Sequence, residues 1–326
     1  MKIAFFSTQP YDKEYFERYN TQHVIVFFEA RLNEQTVNLA KGCNAICAFV
    51  NDKLNKEVLT ALKEMRINII ALRCAGFNNV DVETAKQNDI TVIRVPAYSP
   101  HAVAEHALAL IMTLNRKTHK AYNRVREGNF SLDRLTGFDL YGKTVGVIGT
   151  GKIGQCFARF MQGLGCKVVA FDIVINKELE AAGIKYLSLK EVLEQSNIVS
   201  LHCPLTEKTK HLINNDTLAI MKKGAMLINT SRGALVDTKA VITALKNGKL
   251  GYLGIDVYEQ EEKLFFHDLS ENVITDDVLV RLLGFPNVLI TSHQGFLTDE
   301  ALTQIAVITL QNITDFEEHK PLENKI

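Results

Sequence analysis

A glycine-rich turn, Gly149-Thr-Gly151-Lys-Ile-Gly154, gives the chain its clearest chemical signal. It follows an apolar segment at 144–148 and precedes a helical pattern, the setting in which a GxGxxG turn binds a dinucleotide. The first glycine permits a tight turn, the second lets a pyrophosphate approach the backbone, and the third allows close packing of helix on strand. The helix start then offers free N–H groups and the positive end of its dipole to the phosphates.

Asp172 ends the apolar segment that follows this turn. A carboxylate at that place can accept hydrogen bonds from both ribose hydroxyls of an adenosine, and it would repel a 2′-phosphate. Ile173 and Val174 follow it, so no arginine is present to receive such a phosphate. The sequence therefore predicts NAD rather than NADP as the cofactor.

Three polar segments, at 229–233, 256–262 and 291–294, each follow a predicted strand. Hydride transfer to a 2-keto acid needs a cation for the carboxylate, ideally a forked guanidinium, and a proton donor for the ketone oxygen. Arg232 and a histidine meet these needs, and a carboxylate behind the histidine would orient it and stabilise its protonated form. The carboxyl ends of parallel strands lie along one edge of a sheet, so these groups are expected in one crevice.

Residue types alone leave two roles in this crevice open. Glu259, Glu261 and Glu262 are equivalent candidates for the orienting carboxylate. His202 also ends a predicted strand, so it competes with His293 as the proton donor.

Short apolar runs alternate with amphipathic stretches along both halves of the chain, a pattern typical of parallel sheets covered on both faces. Strands are predicted at 2–7, 23–28, 45–50, 69–73, 90–95, 143–149, 167–172, 198–202, 225–230, 250–257 and 287–291. Helices are predicted at 12–19, 34–41, 56–65, 82–87, 102–116, 152–164, 238–246 and 299–318.

The helix at 102–116 is apolar on nearly all sides at its start, so it is predicted to be buried between domains or subunits. His106, on this helix, is predicted to be a packing or surface group rather than a ligand. The fold class expected is α/β, with two doubly wound parallel-sheet domains. A Rossmann NAD domain at 99–296 would be inserted in a flavodoxin-like substrate domain formed by 1–98 and 297–326.

Composition argues against several other classes of protein. Lys plus Arg and Asp plus Glu each number 37 in 326 residues, so the net charge of zero favours neither nucleic acid nor a membrane surface as partner. No apolar stretch is long enough for a membrane span, and the first residues lack the pattern of a signal peptide. The six cysteines suit buried, reduced thiols, so a cytoplasmic location is predicted. No second Cys or His pair at zinc spacing accompanies Cys43 and Cys47, so no metal site is predicted.

The chain resembles the D-specific 2-hydroxyacid dehydrogenases, and within that family the bacterial fermentative D-lactate dehydrogenases most closely. The resemblance covers essentially the whole chain and is carried, in order, by segments between residues 71 and 298. These segments are ALRCAGFNNVD, VPAYSP, AVAEHAL, GKTVGVIGTGKIG, LHCPLT, NTSRGALVD, GIDVYE and SHQGFLT.

The resemblance implies a role for individual residues. The catalytic arginine, glutamate and histidine of the family correspond to Arg232, Glu261 and His293. Its substrate contacts correspond to backbone N–H groups at Ala75 and Gly76 and to the pocket-shaping aromatics Tyr98 and Phe296. Its cofactor contacts correspond to Gly149, Gly151, Lys152, Ile153, Gly154, Asp172, Cys203, Pro204, Thr206, Thr230, Ser231, Arg232 and Asp256.

The reaction implied is reversible hydride transfer between NADH and pyruvate, giving D-lactate, in a homodimer or homotetramer. Closure of the two domains is expected to exclude water and align the reacting atoms. The alternative within the family is a dehydrogenase of a larger D-2-hydroxy acid, such as D-2-hydroxyisocaproate. The alternative of another class is a non-enzymatic, NAD-sensing binding protein.

Overall fold

The computed structural model describes residues 1–326, apart from the side chain of Lys263. The chain forms two compact units, one of Met1–Ser99 with Leu297–Ile326 and the other of Pro100–Phe296. Each unit is built on one sheet whose named strands all pair in parallel. The predicted α/β class with two parallel sheets is therefore confirmed.

The first unit has a sheet with the strand order β2-β1-β3-β4-β5. Its strands are β1 (Lys2–Phe5), β2 (Val24–Phe27), β3 (Ala45–Ala48), β4 (Ile69–Leu72) and β5 (Thr91–Arg94). Its helices are α1 (Pro10–Tyr19), α2 (Lys56–Glu64), α3 (Val82–Gln87) and α12 (Asp299–Glu317). Every residue of β3 and β4 is buried, as expected for strands that helices cover on both faces.

The helix predicted at 34–41 is wrong, because only a single 3₁₀ turn, Val37–Ala40, forms there. The Asn33 side chain accepts hydrogen bonds from the N–H groups of Gln35 and Thr36, and the Thr36 hydroxyl accepts one from the N–H of Asn33. These local bonds satisfy backbone groups that a longer helix would otherwise use, so they stabilise a turn in its place.

The second unit has a sheet with the strand order β12-β11-β10-β9-β6-β7-β8. Its strands are β6 (Thr144–Ile148), β7 (Lys167–Phe171), β8 (Lys185–Tyr186), β9 (Ile198–Leu201), β10 (Ala225–Asn229), β11 (Leu250–Ile255) and β12 (Val288–Ile290). Its helices are α4 (Pro100–Arg116), α5 (Thr118–Arg126), α6 (Lys152–Gly163), α7 (Lys177–Ala181), α8 (Leu189–Gln195), α9 (Asn215–Ile220), α10 (Thr238–Lys246) and α11 (Asp277–Leu283).

The helix α4 packs within the second unit, against α6 and the strands β10 and β11. A Cβ on Gly254 would lie 3.0 Å from the Leu114 side chain and 3.3 Å from Leu110, so strand and helix are in close contact. These contacts account for the buried residues of α4 within its own unit, and the domain or subunit boundary predicted at this helix stays a prediction. No helix in the described part of the chain is long and apolar enough to cross a membrane.

The strand order of the second unit reverses at β6, which has β9 on one side and β7 on the other. The loops after β6 and β9 leave the sheet in different directions at such a point, and a crevice opens between them at the carboxyl edge. The three polar segments identified in the sequence follow β10, β11 and β12 along this same edge.

Candidate functional site

The glycine turn joins β6 to α6 at the point where the strand order reverses. Gly149 has a φ of +90°, and a Cβ there would lie 2.5 Å from the backbone nitrogen of Cys203, so only glycine fits. A Cβ on Gly154 would lie 2.0 Å from the carbonyl oxygen of Gly149, so this glycine lets the helix pack against the turn. A Cβ on Gly151 would meet nothing within 4 Å, so the space beside it is open to a ligand.

Backbone donors at the start of α6 make this turn suitable for a phosphate. Lys152 and Ile153 are the first two residues of the helix, and Gly151 before them has no side chain to cap it. The first N–H groups of a helix have no partner within it, and the helix dipole favours an anion there. The turn therefore fits the pyrophosphate of a dinucleotide.

Asp172 lies directly after β7, and its carboxylate is held beside the glycine turn. It accepts hydrogen bonds from the N–H of Thr150 (2.5 Å), the hydroxyl of Thr150 (3.0 Å) and the N–H of Val174 (3.1 Å). No arginine or lysine pairs with it among the described residues. The local charge is therefore negative, which suits ribose hydroxyls and disfavours a 2′-phosphate.

The turn after β10 offers a further polar group to a ligand. The Thr230 hydroxyl is buried and has no hydrogen-bond partner in the described part of the chain. A buried polar group left in that state costs about 1–3 kcal/mol, so a ligand or water that satisfies it is stabilised. The neighbouring Ser231 hydroxyl donates to the carbonyl of Cys203 (2.7 Å) and ties this turn to the loop after β9.

The loop after β9 carries the remaining predicted cofactor contacts, Cys203, Pro204 and Thr206. Burial raises the pKa of the Cys203 thiol to about 11, so the group is a neutral thiol at physiological pH. The Thr209 hydroxyl donates to the carbonyl of Pro204 (2.7 Å) and accepts from the N–H of Thr206 (2.8 Å). The loop is therefore held in one shape by its own side chains.

Arg232 follows β10 in the same turn, and its half-buried side chain donates from Nη1 to the carbonyl of Ser231 (2.7 Å). The Asn229 side chain donates to the Arg232 carbonyl (2.8 Å) and so stabilises the turn. A Cβ on Gly233 would lie 2.1 Å from the carbonyl carbon of Tyr258, so the turn lies directly on the loop after β11. No carboxylate pairs with Arg232 among the described side chains, so its guanidinium is available to an anion.

Glu261 and His293, on the loops after β11 and β12, form a close pair. The Glu261 Oε1 lies 2.7 Å from the His293 Nδ1, and the other carboxylate oxygen accepts from the N–H of Tyr258 (2.8 Å). A carboxylate can only accept, so Nδ1 carries the proton and Nε2 is the nitrogen that can exchange a proton with a ligand. Each side chain is 16% exposed, so the pair is accessible yet largely shielded from bulk water.

The structure separates the three glutamates that the sequence left equivalent. Glu259 instead pairs with His211 (2.7 Å) and accepts from the Thr238 hydroxyl (3.2 Å). Glu262 is exposed. Only Glu261 therefore has the contact that orients His293.

His202 lacks the properties of a proton donor. Its ring packs on Phe157, with 4.9 Å between the centroids, and its Nε2 hydrogen-bonds with the Ser200 hydroxyl (2.9 Å). Burial lowers the pKa of His202 to about 3, so the imidazole is neutral throughout the physiological range. A neutral imidazole used for packing cannot act as the acid of a reduction, which leaves His293.

Replacement of His202 by glutamine should make the protein less sensitive to acid. In the unfolded chain His202 binds a proton below about pH 6.5, whereas in the folded chain it does so only near pH 3. Between these values the unfolded state binds more protons, so wild-type stability falls as the pH falls. Urea unfolding at pH 7 and pH 5 should show a smaller loss for His202→Gln than for wild type. Equal losses would mean that His202 is protonated in the folded protein.

The other predicted substrate contacts occur in both units. In the first unit, Ala75 and Gly76 follow β4, and the Ala75 carbonyl accepts from Arg94 Nη1 (2.7 Å). Tyr98, also in that unit, is half-buried. In the second unit, Phe296 follows the His293 loop and is 6% exposed.

Asp256, predicted as a cofactor contact, lies beneath the His293 loop and is 2% exposed. Its carboxylate accepts from the N–H groups of Gln294 and Gly295. The sequence missed the group that reaches this carboxylate from α4, His106, whose Nε2 lies 3.3 Å from an oxygen of Asp256.

Comparison with known proteins places this site in a family. Residues 108–295 match the sequence profile described as "D-isomer specific 2-hydroxyacid dehydrogenase, NAD binding domain". The chain is 52% identical to a 2-hydroxyacid dehydrogenase homolog of Haemophilus influenzae, covering 99% of this chain and 98% of that one. It is 50% identical to a D-lactate dehydrogenase of Escherichia coli over the full length of both. The apo-structure of D-lactate dehydrogenase from Escherichia coli superposes with a TM-score of 0.92 at 48% identity, covering all of both chains.

Proposed function

The chain belongs to the D-isomer specific 2-hydroxyacid dehydrogenases and is an NAD-dependent oxidoreductase, and we propose that its substrates are pyruvate and D-lactate. Full-length identity of 50% to a protein named D-lactate dehydrogenase supports this choice of substrate. The observation that carries the proposal is the 2.7 Å contact between Glu261 and His293. The turn that bears Arg232 lies against the loop after β11, and its guanidinium has no carboxylate partner among the described residues.

We propose that His293 donates the proton and that Arg232 binds the substrate carboxylate. Bound NADH supplies the hydride to carbon 2 of the keto acid. Arg232 holds the carboxylate in a forked, charge-assisted contact and polarises the neighbouring carbonyl. The Nε2 of His293 donates a proton to the oxygen as it gains negative charge, and Glu261 stabilises the imidazolium before that transfer.

Other groups of the protein would complete the substrate and cofactor sites. The backbone N–H groups at Ala75 and Gly76 would bind the substrate carboxylate, and Tyr98 and Phe296 would limit the size of its side chain. On the cofactor, Gly151, Lys152 and Ile153 would receive the pyrophosphate. Asp172 would bind the adenosine ribose. The rest of the NAD molecule would contact the loop at 203–206, the turn at 230–232 and Asp256.

The test of the proposed function is the rate of NADH oxidation with pyruvate, compared with 2-ketoisocaproate and phenylpyruvate. We expect kcat/KM to be highest for pyruvate, and the product to be the D enantiomer by chiral analysis. Preference for 2-ketoisocaproate would favour the D-2-hydroxyisocaproate alternative. A protein that binds NADH yet oxidises it with none of the three acids would contradict the proposal and support a binding function.

Replacement of Asp172 by serine should shift cofactor preference toward NADP. The change removes the negative charge that opposes a 2′-phosphate, and it removes acceptors for the two ribose hydroxyls. We expect kcat/KM for NADH to fall and the ratio of NADPH to NADH activity to rise at least about tenfold, the effect of about 1.4 kcal/mol. Glu178→Ser on α7 is the matched control, since its exposed carboxylate pairs with Arg159 instead. An unchanged ratio in Asp172→Ser would exclude Asp172 from the ribose site.

We also propose that the enzyme acts in the cytoplasm as a homodimer or homotetramer. None of the six cysteines forms a disulfide in the described structure, which suits a reducing compartment. Large apolar side chains are exposed between residues 122 and 141, and such a surface favours self-association. They are Tyr122, Val125, Phe130, Leu132 and Tyr141.

A further inference from the structure

The loop that carries His293 is built around the carboxylate of Asp256. The N–H of Gln294 donates to Oδ1 (2.9 Å) and the N–H of Gly295 to Oδ2 (2.8 Å). The Thr291 hydroxyl lies 2.6 Å from Oδ1, and the N–H of His293 donates to the Asp256 carbonyl (2.7 Å). Four polar contacts, made by Thr291, His293, Gln294 and Gly295, thus hold the loop on both sides of the histidine.

The backbone of His293 needs this support. Its φ of 55° lies in the left-handed region, which costs a residue other than glycine roughly 1–2 kcal/mol. Such a conformation persists only where surrounding contacts hold it. Because the side-chain direction depends on φ, loss of these contacts would turn the imidazole away from Glu261.

His106 is the described side chain from outside these two loops that contacts both Thr291 and Asp256. It lies on α4, outside both loops, and its Nε2 is 3.0 Å from the Thr291 hydroxyl and 3.3 Å from Asp256 Oδ1. The other described groups that bond to the Asp256 carboxylate, at Thr291, Gln294 and Gly295, all belong to the loop itself. Backbone bonds from Thr291 to Ile255 and from Asp256 to Asn229 hold the two loops to the sheet. Without His106, however, the side chains of Thr291 and Asp256 would lose their described hydrogen-bond contact outside the loops.

The direction of the hydrogen bonds follows from their chemistry. Asp256 can only accept, so the single proton of the Thr291 hydroxyl points to Asp256. That hydroxyl must then accept from His106, whose proton therefore lies on Nε2. Burial alone would raise the pKa of Asp256, but the bonds from His106, Thr291 and Gln294 outweigh it, and the pKa lies below its ordinary value. The carboxylate is therefore ionised at neutral pH. A continuous series of hydrogen bonds runs from His106 through Thr291 to Asp256.

We propose that His106 is a positioning residue for His293, acting through Thr291 and Asp256. The inference rests on the proposed role of His293 as the proton donor. A displacement of about 1 Å in a reacting group can cost about a hundredfold in rate, so a contact behind the loop can matter for turnover without touching the substrate.

The experiment compares His106→Leu, which removes the donor, with His106→Gln, whose amide can donate from a similar place. Thr291→Val and the double variant His106→Leu/Thr291→Val complete a cycle. His101→Leu is the matched control, since His101 is exposed on the same helix and takes no part in the hydrogen bonds that join His106, Thr291 and Asp256. The measurements are kcat and KM for pyruvate, Kd for NADH, the melting temperature, and hydrogen exchange of amides 291–295 in the protein without ligands.

In His106→Leu we expect kcat to fall at least about tenfold, with the Kd for NADH within about threefold of wild type. His106→Gln should restore most of kcat. The double variant should be at most about twofold slower than the slower single variant, because both changes break the same series of hydrogen bonds. Amides 294 and 295 should exchange faster in His106→Leu and at the wild-type rate in His101→Leu.

An unchanged kcat and unchanged exchange in folded His106→Leu would overturn the inference, as would fully multiplicative losses in the double variant. A lower melting temperature with normal kcat would show a structural role alone and would also overturn it. Hydrogen exchange distinguishes failure of the proposed function from failure of the proposed role of His106. If wild type fails to reduce pyruvate, the proposed function fails, while faster exchange at 294 and 295 would still support the link from His106 to the loop.

Discussion

His293→Ala is expected to lower kcat for pyruvate reduction by about 10²–10⁴-fold, the range that a positioned general acid contributes. The imidazole Nδ1 is already engaged with Glu261, so Nε2 is the one nitrogen of the pair that can deliver a proton. Alanine has no such group, and no other ionisable side chain contacts the Glu261 carboxylate in the described part of the chain. The reverse reaction, oxidation of D-lactate, needs the same nitrogen as a base and should fall by a similar factor.

The measurement is single-turnover oxidation of bound NADH by saturating pyruvate, with the Kd for NADH taken from fluorescence titration. The Kd should stay within about twofold of wild type, because the glycine turn and Asp172 lie after other strands of the sheet. Glu261→Gln makes a graded comparison, since it keeps the size and one acceptor oxygen but removes the charge that stabilises the imidazolium. We expect its kcat to lie between wild type and His293→Ala. Normal turnover in His293→Ala would show that another group donates the proton.

The nucleotide half of the site was accessible from sequence because its physical demands are local. A tight turn, a close approach of backbone to ligand and close packing of helix on strand all fall within six residues, and each of these demands favours glycine at its position. The structure shows these demands directly at Gly149 and Gly154, where an added Cβ would lie 2.5 Å from Cys203 and 2.0 Å from Gly149. The parallel sheet followed as readily, from the alternation of apolar runs.

The choice among Glu259, Glu261 and Glu262 was not accessible from composition, because it depends on how one turn folds. A 3₁₀ turn begins at Glu261, and the N–H of Tyr258 binds that carboxylate, so Glu261 faces His293 while Glu259 reaches His211. Two residues of separation decide the outcome, and no residue-type rule contains that information. Only the family resemblance distinguished them beforehand.

Elements without an apolar pattern escaped prediction for a related reason. The helix α5 has no buried residue, and its few apolar residues, Ala121, Tyr122 and Val125, do not indicate a helix that faces a core. The strand β8 is two residues long and lies at the sheet edge. His106 was predicted to be a packing or surface group because a hydrogen bond to a loop nearly two hundred residues away leaves no trace in local sequence.

Arg232→Lys is expected to raise the KM for pyruvate and lower kcat, with a combined loss in kcat/KM of about ten- to a hundredfold. Lysine keeps the positive charge but presents a compact ammonium in place of a planar fork, so a two-point grip on a carboxylate becomes a one-point contact. Loss of one hydrogen bond to a charged group costs about 1.5–3 kcal/mol, and each 1.4 kcal/mol is a factor of ten. The kcat should fall as well, because a carboxylate held at one point can rotate and carry the carbonyl away from His293.

The control for this change is Arg159→Lys, whose exposed guanidinium on α6 pairs with Glu178 and should tolerate lysine with unchanged kinetics. Affinity for NADH should be near normal in both variants, since the Arg232 guanidinium bonds to the Ser231 carbonyl and has no described contact with the glycine turn. Steady-state rates against pyruvate concentration, at saturating NADH, give KM and kcat separately. If Arg232→Lys left both constants at wild-type values, the guanidinium would not be the group that holds the substrate carboxylate. If it raised only the Kd for NADH, Arg232 would serve the cofactor and not the substrate carboxylate.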